Sequence, residues 1–373
     1  MKPHRIAKLR SARSALVGKL LLVAVCVQTA GAPAAQAMDR ARVEPDIELE
    51  YTVRGTGEPV VLVHAGLFAD WFRPLLEEPA LAARYRVLSF HRVGYAGSSR
   101  VAGPVSIARQ AAHVRALMRH LGIARAHIVG HSSGGNIALQ LALDAPELVH
   151  SLAILEPALP VGGGSERLLA TRQAAMAPIV EQFRAGNKAA AVDGFMRMVS
   201  GPAYRAPFDQ AMPGSFDRGV ADADTFFGQE LPAIQQWQLA REDARRITQP
   251  VLAVVGEEST KVSPIWNERQ QLLLGWLPNV EGFVLPGTTH LLHVQNPRGM
   301  AEALASFFAR QPMGGARRLG SDRQRLALRK RQGHRLRVDV AVIQCQLVGE
   351  QPRDGDRRVI HGCASLRRQR SVA

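Results

Sequence analysis

Short, almost wholly apolar runs recur between helix-patterned segments, and this alternation restricts the chain more than any other feature. The runs are residues 59–63, 86–90, 126–129, 151–155, 250–255 and 282–285. A strand this uniformly apolar needs cover on both faces, the condition of a parallel sheet between helices. Helical patterns at 107–121 and 136–143 lie between the runs. The fold class is therefore α/β, a mostly parallel central sheet with helices on both faces. Ahead of these runs Ile47, Leu49, Tyr51 and Val53 alternate with period two, as in a half-buried first strand, and residues 55–59 read as a turn.

The alternation breaks once. Residues 157–249 carry no strand pattern, several Pro and Gly interruptions, and helical stretches at 166–185 and 189–199. They are expected to form an inserted helical cap that divides the core into residues 38–156 and 250–310. Eight of the 20 aromatic residues fall in this segment, together with Met176, Met196, Met198 and Met212. Apolar residues at helical spacing are mostly core, so most should pack the cap onto the body while a few line a pocket.

A net charge of +15 would ordinarily suggest nucleic acid or a membrane surface, but its distribution argues otherwise. Residues 1–37 hold six basic and no acidic side chains, and residues 311–373 hold 15 basic against five acidic, which leaves 26 basic and 27 acidic between them. The folded part is neutral, so its composition gives no reason to expect nucleic acid as a partner. The basic tail from 311 has little hydrophobic periodicity and reads as disordered. The first 37 residues combine a basic start, an apolar run at 20–27 and a small-residue site at Ala35, Gln36 and Ala37. This is the pattern of a cleaved signal peptide and implies a secreted or periplasmic protein, whereas translation from Met38 would leave it cytoplasmic. No other run is long enough to span a bilayer. Cys26, Cys345 and Cys363 all lie outside residues 38–310, so that segment has neither a disulfide framework nor a thiolate metal site.

The chemical signal is Gly130-His131-Ser132-Ser133-Gly134, a G-x-S-x-G string. A strand pattern leads into it and a helical pattern leads out, the setting in which the glycines permit a sharp turn that exposes the Ser132 hydroxyl. A nucleophilic serine needs N–H donors where the oxyanion develops. The Ser133 amide, next after the nucleophile, is one. The other should come from the loop after residues 59–63, where His64-Ala65-Gly66-Leu67 makes Gly66 the first candidate and Leu67 the alternative.

With these residues in place the chain resembles capped α/β-hydrolases, a group that includes small esterases, enol-lactonases and cofactor-free haloperoxidases. The likeness spans about residues 43–310 and rests on four pieces: His64-Ala65-Gly66, His91 through Ser98, the serine elbow, and Gly287-Thr288-Thr289-His290. Ala65 and His91 stand where the family usually has glycine and aspartate. The family's order of serine, acid and histidine implies His290 as general base. A metal pair of His290 and His293 lacks a third ligand. His293, His64, His91 and His131 are then expected to be satisfied structural histidines.

The acid is where the chain departs from the family. Its usual aspartate would follow residues 251–255, and that turn reads Gly256-Glu257-Glu258-Ser259. Serine cannot hold an imidazolium by charge, and losing a triad acid costs about 10⁴ in kcat. Glu156, which ends the preceding strand, resembles the glutamate that related dehalogenases carry there. Glu258, one residue from the usual place, is the alternative, and an acid-free site is the third reading. The resemblance implies hydrolysis of a small or medium carboxylic ester or lactone through an acyl-enzyme on Ser132, without metal or organic cofactor. A C–C bond hydrolase or perhydrolase on the same site, or a non-catalytic binding protein with a degenerate triad, are the alternatives.

Overall fold

The computed structural model describes residues 38–159 and 166–314. The expected signal peptide lies outside the described residues, as does the basic tail beyond 314.

Eight strands form one sheet: β1 (Asp39–Glu44), β2 (Ile47–Arg54), β3 (Glu58–Val63), β4 (Tyr85–Phe90), β5 (Ala126–His131), β6 (Val149–Leu155), β7 (Val251–Gly256) and β8 (Val280–Leu285). Their spatial order is β1-β2-β4-β3-β5-β6-β7-β8. The β1–β2 and β2–β4 pairs are antiparallel and the remaining pairs are parallel. The central runs are apolar throughout because alternate residues enter different cores. Val61, Val63, Ile128, Leu152 and Ile154 join the layer that holds Val114, Leu117 and Leu141. Val60, Leu62, Val129, Ala153 and Leu155 join the opposite layer with Leu75, Leu304 and Phe308. Helices therefore cover both faces, as period-two burial on a fully apolar strand requires.

The edges depart from the sequence expectation. β1 precedes the expected first strand, and of its six residues only Ala41 is buried, so its pattern is that of a charged edge. β8 is the opposite edge, and Val284 is 52% exposed there, so it is not covered on both faces as expected.

Between β6 and β7 the described residues form helices and no strand, the longest being Glu166–Arg184 and Lys188–Ser200. Met176, Met196, Tyr204, Phe208, Phe226 and Phe227 pack there against Ala65, Leu67, Phe68, Trp71 and Trp266. Trp237 joins the sheet layer instead, its Nε1–H donating to Gln140.

β3 is the first strand of the parallel set, with β4 on one side and β5 on the other. The strand order reverses at this switch point, where α/β sheets open a crevice at the carboxyl ends of their strands. Val63 pairs with Gly130, His131 with Leu155, and Gly256 with Leu285. That register lines up the residue 64–67 loop, Ser132, Glu156 and the loop before His290 along one sheet edge.

Candidate active site

Ser132 sits between β5 and the helix Ser133–Asp144, at φ 52°. A non-glycine residue at positive φ is strained, and neighbouring contacts hold it in place. Its N–H donates to Leu155 O at 2.9 Å, and its carbonyl accepts from Gly135 and Ala158. The flanking glycines are sterically required. A Cβ on Gly130 would lie 2.3 Å from Gly134 O, and one on Gly134 would lie 2.1 Å from Val63 O. Strand, turn and helix thus approach too closely for any side chain, and the serine is turned outward.

Glu156 immediately follows β6, is 1% exposed and also has positive φ, 41°. Its Oε1 accepts the Gly256 N–H at 2.7 Å, and its Oε2 lies 2.6 Å from His290 Nδ1. One carboxylate thereby joins the ends of β6 and β7 to the loop after β8. His290 hangs from a Pro-Gly turn with Gly287 at φ 67°, whose N–H is held by Glu257. Gln295 accepts from the Thr289 N–H, and Trp266 stacks on the imidazole at 4.1 Å. Burial lowers the His290 pKa below the ordinary histidine value. Glu156 pulls it back up, while Arg172 and Arg269 push it down again.

Glu258 is elsewhere. Its carboxylate pairs with Lys261 at 2.6 Å. Ser259, at the family's usual acid position, is fully buried and its Oγ has no hydrogen-bond partner among the described residues.

Ser132, Ser133, Gly66 and His290 all line one cavity of about 520 Å³, roofed by Met176, Phe195, Met196 and Phe226 from the helical segment. Both candidate oxyanion residues are near one another in the fold. A Cβ at Gly66 would collide with Phe226 at 2.5 Å, so the loop backbone passes directly beneath that ring. Leu67, the alternative, is fully buried at φ 67° and packs in the apolar cluster.

His64 has both ring nitrogens engaged, with Ala65 O and the Arg92 N–H. His91 lies between Glu50 and Asp70, at 3.1 and 3.2 Å. His131 and His293 are only half satisfied, contrary to expectation: Nε2 of each meets a carbonyl, but each Nδ1 is buried without a partner among the described residues. Desolvation keeps both neutral, lowering the His293 pKa to about 3. Among the described residues, no group of three or more His, Cys, Asp or Glu could hold a metal ion, and no helix is long and apolar enough to cross a membrane.

Sequence reasoning missed three arginines. Arg92, in the stretch after β4, is buried and binds Glu230 at 2.8 Å and Gln110 at 2.6 Å, with Ser133 Oγ at 3.4 Å. Tyr95 donates to the same glutamate, which ties the helical segment to the sheet beneath the Gly66 loop. Arg172 and Arg269 both line the cavity. They come from helices 97 positions apart, and no local pattern marks either one.

Residues 58–297 match the α/β-hydrolase fold family. A 2-hydroxy-6-oxo-6-(2'-aminophenyl)hexa-2,4-dienoic acid hydrolase of Metapseudomonas resinovorans is 25% identical over 284 residues, 71% of this chain and 89% of that protein. Several other curated relatives are matched over only 30% to 63% of their own length. Among solved structures, a thermophilic esterase from Thermogutta terrifontis superposes with TM-score 0.61 at 18% identity, covering 74% of this chain and 98% of that one. The enol-lactonase of Burkholderia xenovorans LB400 gives 0.59 at 20%, covering 73% and 100%. Strand order, serine elbow and the match over residues 58–297 together make the chain a member of the α/β-hydrolase fold family.

Proposed function

We propose that the protein hydrolyses a small or medium carboxylic ester or lactone through an acyl-enzyme on Ser132. The observation that carries this reading is the 2.6 Å contact between His290 Nδ1 and Glu156, beside a cavity that Ser132 also lines. A carboxylate on Nδ1 fixes the tautomer that leaves Nε2 free to accept a proton. His290 takes the Ser132 proton as the hydroxyl attacks the carbonyl carbon. The tetrahedral oxyanion is held by the N–H groups of Ser133 and Gly66. As it collapses, His290 returns the proton to the departing alcohol, and water then releases the acid by the same route. Glu156 stabilises the imidazolium formed in each half. The helical segment serves as a cap whose Met and Phe side chains keep water from the acyl-enzyme.

Lactone opening uses the same steps with the leaving alcohol still tethered, and the fold likeness to an enol-lactonase supports including it. The test is the hydrolysis of a short p-nitrophenyl ester series by the protein and by Ser132→Ala. Turnover by the parent and its loss in the variant are expected. Turnover that survives in Ser132→Ala would overturn the proposal.

A further inference from the structure

Among the described residues, the cavity wall carries two guanidinium groups, Arg172 and Arg269, and no Asp or Glu. Arg269 projects from the helix Ile265–Trp276 and is 4% exposed. Its Nε and Nη1 are both buried without a hydrogen-bond partner among the described residues, and so is the Nε1 of neighbouring Trp266. The guanidinium carbons of Arg172 and Arg269 lie 5.7 and 5.2 Å from the centre of the Trp266 ring. That same indole stacks on His290. Three unpaired donors and two positive charges therefore converge within one ring of the proposed general base.

Native proteins rarely leave buried donors unpaired, and such groups usually mark a place where something else supplies the acceptors. Burial also pushes the Arg172 pKa down to about 10 and that of Arg269 down as well, so both cations are held at a cost in solvation. The charge of Glu156 favours the Arg269 cation, but its two oxygens are already engaged by Gly256 and His290. Counting both arginines, Glu156 and a neutral His290 leaves one net positive charge at the site. A single carboxylate neutralises it and matches the planar, forked donors of a guanidinium.

We propose that Arg172, Arg269 and Trp266 Nε1 form a carboxylate-binding subsite, so that the substrate is an ester or lactone that also bears a free carboxylate. This inference rests on the serine-hydrolase reading above and narrows its substrate class. The carboxylate docks near Trp266 and directs the scissile carbonyl to Ser132. The remaining wall, with Met176, Phe195, Met196 and Val199, takes the apolar part of the molecule.

The test compares ethyl hydrogen glutarate with ethyl glutaramate, which replaces the carboxylate by an isosteric neutral amide. The parent protein is expected to prefer the anion by about 10- to 100-fold in kcat/KM, the range for a charge-assisted hydrogen-bonded pair. Arg269→Gln should abolish the preference, read as the ratio of kcat/KM for the two esters in the same variant. Arg172→Gln should reduce it, and this second variant keeps the test alive if Arg269→Gln fails to fold. Binding is read separately by calorimetry on Ser132→Ala, where ethyl hydrogen glutarate should bind more tightly than ethyl glutaramate and inorganic phosphate.

Equal kcat/KM for the two esters, with Ser132→Ala inactive, would overturn the subsite alone. Phosphate binding as tightly as ethyl hydrogen glutarate would overturn the carboxylate assignment. Turnover retained by Ser132→Ala would overturn the serine reading instead, so the two failures are distinguishable.

Discussion

The turns that follow β6 and β7 lie side by side at the same sheet edge, yet only one of them reaches His290. After β6 the chain places Glu156 with both oxygens engaged, one on the histidine and one on the neighbouring turn. After β7 it places Ser259, fully buried with an unpartnered hydroxyl, and Glu258, which turns outward to Lys261. The β7 turn contributes its Gly256 N–H instead, orienting the acid supplied by the other strand. In the proposed mechanism adjacent strand ends exchange a role, a backbone donor at one end holding the side chain from the other. The difference also shows that proximity to a family position says less than the direction in which a side chain is held.

The largest expected effect separates the two turns directly. Glu156→Gln should lower kcat for ester hydrolysis by about 10⁴, the usual cost of losing a triad acid, whereas Glu258→Gln should stay within about twofold because it removes only a surface ion pair. Similar losses in the two variants, measured under saturating ester, would erase the distinction.

A sharper version moves the acid across. In the Glu156→Gln background, Ser259→Asp should recover about 10²-fold, since a carboxylate is returned beside the Gly256 turn. Ser259 Oγ stands 2.7 Å from where a Gly256 Cβ would lie, so position 259 borders that turn. No recovery, with the double variant folded by circular dichroism, would mean that the β7 turn cannot take the role.

The pH profile gives a smaller effect with a definite sign. His290 acts as a base only when neutral, and burial lowers its pKa, so activity should persist below the ordinary histidine range and fall on the acid side. Glu156 raises that pKa, so residual activity of Glu156→Gln should show its acid limb at lower pH. Arg269 lowers it, so Arg269→Gln should move the limb upward. Shifts of opposite sign in kcat/KM profiles would contradict the electrostatic arrangement around the histidine.

Smallest of all is Ser259→Ala. Its hydroxyl makes no hydrogen bond, so removal should change unfolding free energy by no more than about 0.5 kcal/mol and leave kcat unaltered. A large loss in chemical denaturation would reveal a structural task for the β7 turn.

Much of the fold was legible because burial on two faces writes itself into uniformly apolar runs, as at Val60 to Val63. The edges were not, for a related reason. β1 spends charged residues on solvent, and β8 carries Val284 on an exposed face, so hydrophobicity misrepresented each. Ser132 could be read locally, since its glycines are demanded by contacts within a few residues and with β3. His290 and Glu156 needed family order and strand-end position, because 134 residues separate them. The arginine pair had no local signal: Arg172 and Arg269 meet only over the face of Trp266, a contact made by folding alone. Glu230 was hidden in the same way, being paired with Arg92 across 138 positions.

The central claim is that Ser132 is activated through His290 by an acid from the end of β6. Its most direct test needs no knowledge of the substrate: the rate of covalent modification by a fluorophosphonate, with the modified residue located by peptide mass spectrometry. Label on Ser132, at a rate reduced at least about 10²-fold by Glu156→Gln and unchanged by Glu258→Gln, is the expected result. Label on another residue, or equal rates in the two variants, would contradict it.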